Sequence, residues 1–128
     1  MTNYGDIALS AVNIYRIKND SPRNAWEKAT FQIYTKGSSG QKKGCPRDAF
    51  LGLCEEGLVV GIKKGDYTES KKNKEYALKA AELLISKKAS QEKTTVLWLE
   101  IQCDHPKSQN GQMDVVLALW TNNLIVKK

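Results

Sequence analysis

The apolar run Val115–Trp120, with Met113 just before it, constrains most strongly what this chain can fold into. Apolar side chains at consecutive positions surround a helix on nearly every side. Such a helix is stable only where other elements cover each of its faces. The sequence therefore predicts a helix that starts near Asn110 or Gly111 and lies at the centre of the domain. Residues Leu124–Val126 are expected to pack back against it.

The length of the chain limits how many hydrophobic cores it can form. With 128 residues and a mass of 14.3 kDa, it suffices for one hydrophobic core and not for two. Hydrophobic residues make up 41% and charged residues 27%, as in an ordinary globular protein. No apolar stretch approaches the roughly 20 residues that cross a bilayer, and no signal peptide is visible. We expect one domain over residues 1–128, located in the cytoplasm and not in a membrane.

The first half of the chain contains two helix starts. Asn3 can cap a helix over about residues 4–18, with Asp6 placing a negative charge in its first turn. Ser21 followed by Pro22 predicts a second helix, because serine caps well and proline is favoured at the first helical position. The apolar stripe of this second helix is predicted to be Ala25, Trp26, Ala29 and Ile33.

Two further helices follow. Cys45 before Pro46 repeats the cap-and-proline signal and predicts a short helix over 47–56, which Gly57 would end in the left-handed conformation. Ser70 can cap a long helix over residues 71–87, with apolar side chains on one face and charged ones on the other. This last helix has the clearest pattern in the chain.

Residues 94–103 are ambiguous, because their β-branched and aromatic side chains also suit a strand. Hydrophobic periodicity alone does not distinguish a helix from a strand in such a short apolar run, and we favour a helix. The predicted fold is therefore mainly α, with five or six helices around the buried C-terminal helix. The alternative is an α+β fold, in which residues 95–103 pair as a strand with Leu124–Val126 or a neighbour.

Residues 35–44 contain three glycines and two serines and are predicted to form a flexible, exposed loop. Their glycine and lysine spacing does not match a nucleotide-binding P-loop, and no strand precedes them. The loop leads into the Pro46 helix, where free backbone N–H groups and the helix dipole favour an anion. Lys42, Lys43 and Arg47 add positive charge there and are candidate ligands of an anionic group. The alternative is a connector with solvated lysines.

Positive charge is concentrated in the middle of the chain. The net charge is +6, and residues 36–79 contribute ten basic and six acidic groups to it. Such a surface attracts an anionic partner or nucleic acid. However, only Arg16, Arg23 and Arg47 carry the guanidinium group that suits bidentate contacts to bases and phosphates. Nucleic-acid binding is therefore expected to be weak at most.

The three cysteines, Cys45, Cys54 and Cys103, favour a reducing compartment, since an odd number does not form a disulfide framework. Their spacing does not predict a zinc site, and no metal or cofactor is expected. His105 is the single histidine, and no nucleophile is placed beside it. Cys45 remains the one weak catalytic candidate, because a thiol at a helix start beside basic residues is more reactive than a free one.

Two stretches resemble a known family. The first is Lys43–Val59, together with Tyr67-Thr68, Asn73-Lys74 and Tyr76-Ala77, and the second is Gln112–Trp120. They are similar to a group of small bacterial proteins of unknown function, some of which are carried as mobile gene cassettes of integrons. The resemblance implies a bacterial, cytoplasmic, single-domain protein that is mainly helical. It implies no catalytic or binding residues.

No catalytic set is visible, so the sequence favours a non-enzymatic binding or adaptor protein whose basic region at 36–79 meets an anionic partner. One alternative is a small enzyme or redox-responsive protein that uses Cys45 at a helix N-terminus. Another is a weak nucleic-acid binder. The ligand, the process and the oligomeric state do not follow from the sequence.

Overall fold

The computed structural model describes residues 3–18, 20–87, 93–101 and 111–126. These residues form six helices of eight or more residues and one single helical turn, with no sheet among them. The predicted mainly α fold is confirmed. In chain order the helices are α1 (Asn3–Lys18), α2 (Pro22–Thr30), α3 (Ser39–Lys42, the single turn), α4 (Gly44–Glu55), α5 (Lys71–Lys87), α6 (Thr94–Ile101) and α7 (Gln112–Thr121).

Helix α7 lies at the centre, as its sequence predicts. Every residue from Val115 to Trp120 is buried, and Gly111 is the N-cap. The helix packs against α1, α4, α5 and α6. Its neighbours therefore cover its apolar faces, and this burial is the main driving force for folding.

After α7 the chain returns to the core. Ile125 is buried and forms an isolated antiparallel bridge with Val59. Two backbone hydrogen bonds of 2.8 Å flank this bridge. The predicted return of Leu124–Val126 is confirmed, and its partner is the segment 58–60 after α4.

Helix α2 begins as predicted, because the Ser21 hydroxyl oxygen accepts a hydrogen bond from Asn24 N at 3.1 Å. Trp26 is buried and packs against Phe50, with ring centroids 5.2 Å apart. The prediction that Ile33 continues the apolar stripe is wrong. The helix ends at Thr30, so Ile33 leaves that face and is 42% exposed.

Helix α4 begins earlier than predicted. Lys43 is the N-cap, and Gly44 and Cys45 are the first two helical residues. The prediction that Cys45 caps this helix is therefore wrong. Pro46 sits at the third position, where its missing N–H still costs nothing, since the first four N–H groups of a helix have no partner within it.

The end of α4 is as predicted. Gly57 has φ +73°, in the left-handed region. Its N–H donates to Cys54 O at 3.0 Å, and the next N–H, of Leu58, donates to Leu53 O at 3.0 Å. These two bonds form a Schellman motif, which stops the helix and turns the chain towards the core.

Helix α5 spans Lys71–Lys87 as predicted, and the Ser70 hydroxyl oxygen caps it by accepting from Asn73 N at 3.4 Å. It approaches α4 closely at Gly52, where a Cβ would lie 2.7 Å from Lys74 Cα. This approach brings Lys74 to the side chains of α4. Among the described residues, no helix is both long and apolar enough to cross a bilayer.

The ambiguous segment forms a helix, α6, over residues 94–101. Leu97 is fully buried, whereas Leu99 is 69% exposed. Residues two apart share a face in a strand and not in a helix. The preferred helix is confirmed and the α+β alternative is wrong. Residues 102 and 103 lie outside the described part of the chain.

This geometry predicts unequal effects for two leucine-to-alanine substitutions in α6. Leu97→Ala should lower the free energy of unfolding by about 2–5 kcal/mol, because it removes a buried side chain and leaves a cavity. Leu99→Ala should change it by less than about 0.5 kcal/mol, because this leucine faces solvent. Urea unfolding followed by circular dichroism measures both values. Equal losses in the two variants would contradict a helix here.

Candidate anion-binding pocket

A recess of about 230 Å³ lies where α2, α3 and α4 meet. Each helix contributes one cationic side chain to its wall, and α2 adds one carboxylate. The lining therefore carries an excess of positive charge. The lining residues are Arg23, Trp26, Glu27, Gln41, Lys42 and Arg47.

The turn α3 positions Lys42. The Ser38 hydroxyl oxygen caps the turn by accepting from Gln41 N at 3.3 Å. The Gln41 side chain accepts from Gly37 N at 3.1 Å and donates to Thr30 Oγ1, at the end of α2, at 3.3 Å. The segment predicted as a loop thus contains a helical turn that is hydrogen-bonded to α2.

Asp48 orients the side chain of Arg47. Arg47 Nε and Nη2 donate to its two carboxylate oxygens at 3.4 and 3.2 Å. Asp48 is buried and also accepts from Thr68 Oγ1 at 3.0 Å. A guanidinium has five N–H donors, so Arg47 keeps donors for a ligand after pairing with Asp48.

Arg23 is held by the segment between α4 and α5. Its Nη2 donates to Tyr67 O at 3.4 Å. Glu55 fixes this segment, because its Oε1 accepts from Tyr67 N at 2.9 Å and from Thr68 N at 3.1 Å. The positions of both arginines therefore depend on carboxylates of α4.

Glu55 is itself buried, with 6% of its surface exposed. Lys74 of α5 bonds to its second carboxylate oxygen and also lies 2.6 Å from Glu56. The Lys74 ammonium, assisted by the backbone N–H groups of Tyr67 and Thr68, lowers the pKa of Glu55 to about 2. The two carboxylates in turn raise the pKa of Lys74. The pair is therefore ionised at neutral pH.

Three charged groups of the recess have no ion-pair partner within the described residues. These are Arg23, Lys42 and Glu27, which line the same recess but form no ion pair with one another. Cations that protein carboxylates leave unpaired produce a positive potential. The arrangement is suited to holding a negatively charged group.

The structure brings together two of the three predicted anion ligands. Lys42 and Arg47 line the recess. Lys43 does not, because its ammonium lies over the Tyr4 ring, 5.5 Å from the centroid. Cys45 is half-buried at the second position of α4 and does not line the recess either.

Sequence reasoning missed the contribution of α2. Arg23 and Glu27 are four residues apart and therefore share one face of this helix. The available signal was that Arg23 is one of three arginines in the chain. Nothing local to the sequence shows that this face packs beside α3 and α4.

The described cysteines, Cys45 and Cys54, are both free thiols. Burial raises the pKa of Cys54. The described residues contain no group of three or more His, Cys, Asp or Glu side chains that could hold a metal ion, and Cys103 and His105 lie outside them. The reactivity of Cys45 stays a prediction, which the rate of labelling with iodoacetamide at pH 7 would measure.

Comparison with known proteins identifies the family. The model of DUF6979, a family of unknown function, matches residues 1–126. The match covers nearly the whole chain, so the protein belongs to this family, and the resemblance to a family of unknown function is confirmed. No curated protein and no solved structure matches the chain. Bacterial origin and carriage on integron cassettes stay predictions.

The buried Glu55–Lys74 pair predicts sensitivity to acid. Because the pKa of Glu55 is lowered to about 2 in the folded protein, its ionised form stabilises the fold fully above the ordinary value of 4.5. This stabilisation is lost as the pH falls through that interval. Glu55→Gln should be less stable than the unsubstituted protein at pH 7, and the difference should shrink towards pH 2.

Urea unfolding at several pH values between about 7 and 2 measures this difference. Glu82→Gln, at an exposed position of α5, is the matched control and should follow the unsubstituted protein. A stability difference for Glu55→Gln that does not change with pH would show that the charge of Glu55 is not what stabilises the fold.

Proposed function

We propose that this protein is a non-enzymatic binding protein that takes an anionic group into the recess between α2, α3 and α4. One observation carries the proposal: cationic side chains from three helices meet in one space of about 230 Å³. A cytoplasmic location belongs to the same proposal and is supported by the free thiols Cys45 and Cys54.

Two of the cations are held in place before any ligand binds. Asp48 orients Arg47, and the Tyr67 carbonyl oxygen accepts a hydrogen bond from Arg23. Side chains that are already oriented lose less conformational entropy on binding, which favours affinity. The ammonium of Lys42, on an exposed residue, supplies a third charge without a comparable constraint.

The shape of the recess favours a compact anion over a long polyanion. Duplex DNA presents one charge about every 1.7 Å along its axis, so a protein that follows it needs an extended row of cations. Here three cations are gathered within one recess. This supports a small anionic partner rather than the nucleic-acid alternative.

Titration with inorganic phosphate, followed by ¹⁵N NMR shifts, tests the proposal. Binding should weaken as sodium chloride rises from about 0.05 to 0.5 M, because salt screens exposed charges. Lys42→Gln should weaken it by about threefold to tenfold, since it removes one of three charges without touching a buried group.

Lys72→Gln is the matched control. Lys72 is an exposed lysine of α5 outside the recess, so the same chemical change should leave phosphate binding as it was. Equal weakening by both substitutions would assign the effect to net charge and not to the recess. Absence of any phosphate-dependent shift in the recess residues would overturn the proposal.

A further inference from the structure

We infer that the ligand of the recess is a small phosphomonoester whose organic end carries a hydrogen-bond donor. The inference rests on the proposed anion site and specifies the chemistry of its occupant. Four features of the recess support it: its cationic donors, an indole N–H without an acceptor on a residue of its wall, its volume and its single carboxylate.

The donors of the recess match the oxygens of a phosphate. Arg23, Lys42 and Arg47 line the space, and Arg47 shares its charge with Asp48. A phosphomonoester carries about −1.5 to −2 charges at neutral pH and has three strong acceptor oxygens. Guanidinium groups pair with such oxygens in bidentate geometry, and an ammonium acts as a point charge. A carboxylate ligand, with two acceptor oxygens, would leave more of these donors without an acceptor.

Trp26 is an aromatic residue of the recess wall. It is 2% exposed, and its indole N–H donates to no acceptor among the described residues. Since no sealed side-chain nitrogen in this part of the chain lacks a partner, the indole nitrogen is reached by solvent. A ligand oxygen that reaches this nitrogen would give the donor its acceptor.

The volume of the recess, about 230 Å³, leaves room for a ligand larger than inorganic phosphate. Inorganic phosphate, with five heavy atoms, leaves part of this space to water. An ester with a short organic chain would occupy it.

Glu27 indicates what the organic end carries. Its carboxylate would repel a bare anion, and within the described residues it makes no ion pair with the cations of the recess. A carboxylate accepts hydrogen bonds and donates none when ionised. An ammonium or hydroxyl at the far end of the ester would turn this repulsion into a charge-assisted hydrogen bond.

A matched pair of probes tests this assignment by calorimetry. O-Phosphoethanolamine and n-propyl phosphate have nearly the same size, but only the first ends in an ammonium. The protein should bind phosphoethanolamine about fivefold or more tightly than propyl phosphate. Glu27→Gln should bring this ratio close to one while inorganic phosphate still binds. Glu69→Gln, an exposed change outside the recess, should leave the ratio unchanged.

The outcomes separate the two proposals. The donor-bearing ester is overturned if the two esters bind equally, or if Glu27→Gln preserves the ratio of their affinities. The anion site stands in both cases as long as inorganic phosphate binds. If neither inorganic phosphate nor the esters bind, the anion site is overturned, and the ester with it.

Two further measurements test the remaining features. Glycerophosphoethanolamine, the diester that a lipid headgroup presents, carries one phosphate charge and should bind at least about fivefold more weakly than phosphoethanolamine. Equal binding would assign the recess to headgroups and overturn the monoester. The indole N–H resonance of Trp26 should shift downfield when phosphoethanolamine binds, and an unchanged resonance at saturation would overturn the role of Trp26.

Discussion

Two buried carboxylates on α4 connect the core of the protein to its candidate pocket. Asp48 and Glu55 are about two helical turns apart and therefore lie on one face, and each is 6% exposed. A buried charge is costly unless it is paired and hydrogen-bonded. Arg47, Lys74 and the backbone N–H groups between α4 and α5 meet this requirement. The hydrogen bonds to Glu55 fix the segment between α4 and α5 that holds Arg23, and Asp48 orients Arg47. The positions of both arginines of the recess therefore depend on these two buried carboxylates.

The elements that could be predicted from the sequence are those whose signals lie within one or two turns. Ser21 and Ser70 cap their helices through hydrogen bonds to N–H groups three residues on, and Gly57 ends α4 because its backbone has a positive φ. Helix α7 was predictable for a different reason. Its consecutive apolar side chains leave no polar face that could lie against water. The helix must therefore be buried, whichever elements cover it.

The pocket could be predicted only in part, because its walls come from three helices. Lys42 and Arg47 were identified since they flank one helix start, but Arg23 and Glu27 come from a helix that the sequence places about twenty residues earlier. Their meeting is decided by the packing of α2 against α4, for which no short pattern exists. Local rules also failed at Cys45, because the unpaired N–H positions of a helix start allow proline at more than one place.

The smallness of α3 has a kinetic consequence. A turn of four residues is not stable by itself, because the conformational entropy lost on helix nucleation outweighs the free energy gained from the hydrogen bonds of one turn. Its place depends on the hydrogen bonds of Gln41 to Gly37 and Thr30, and on that of the Tyr4 hydroxyl to the Gly40 carbonyl oxygen. Loss of these bonds would release Lys42 and would leave Arg47 on Asp48 and Arg23 on the Tyr67 carbonyl oxygen. Amide hydrogens of this turn should exchange with deuterium sooner than those of α2 and α4, and slower exchange would report an occupied pocket without any labelled ligand.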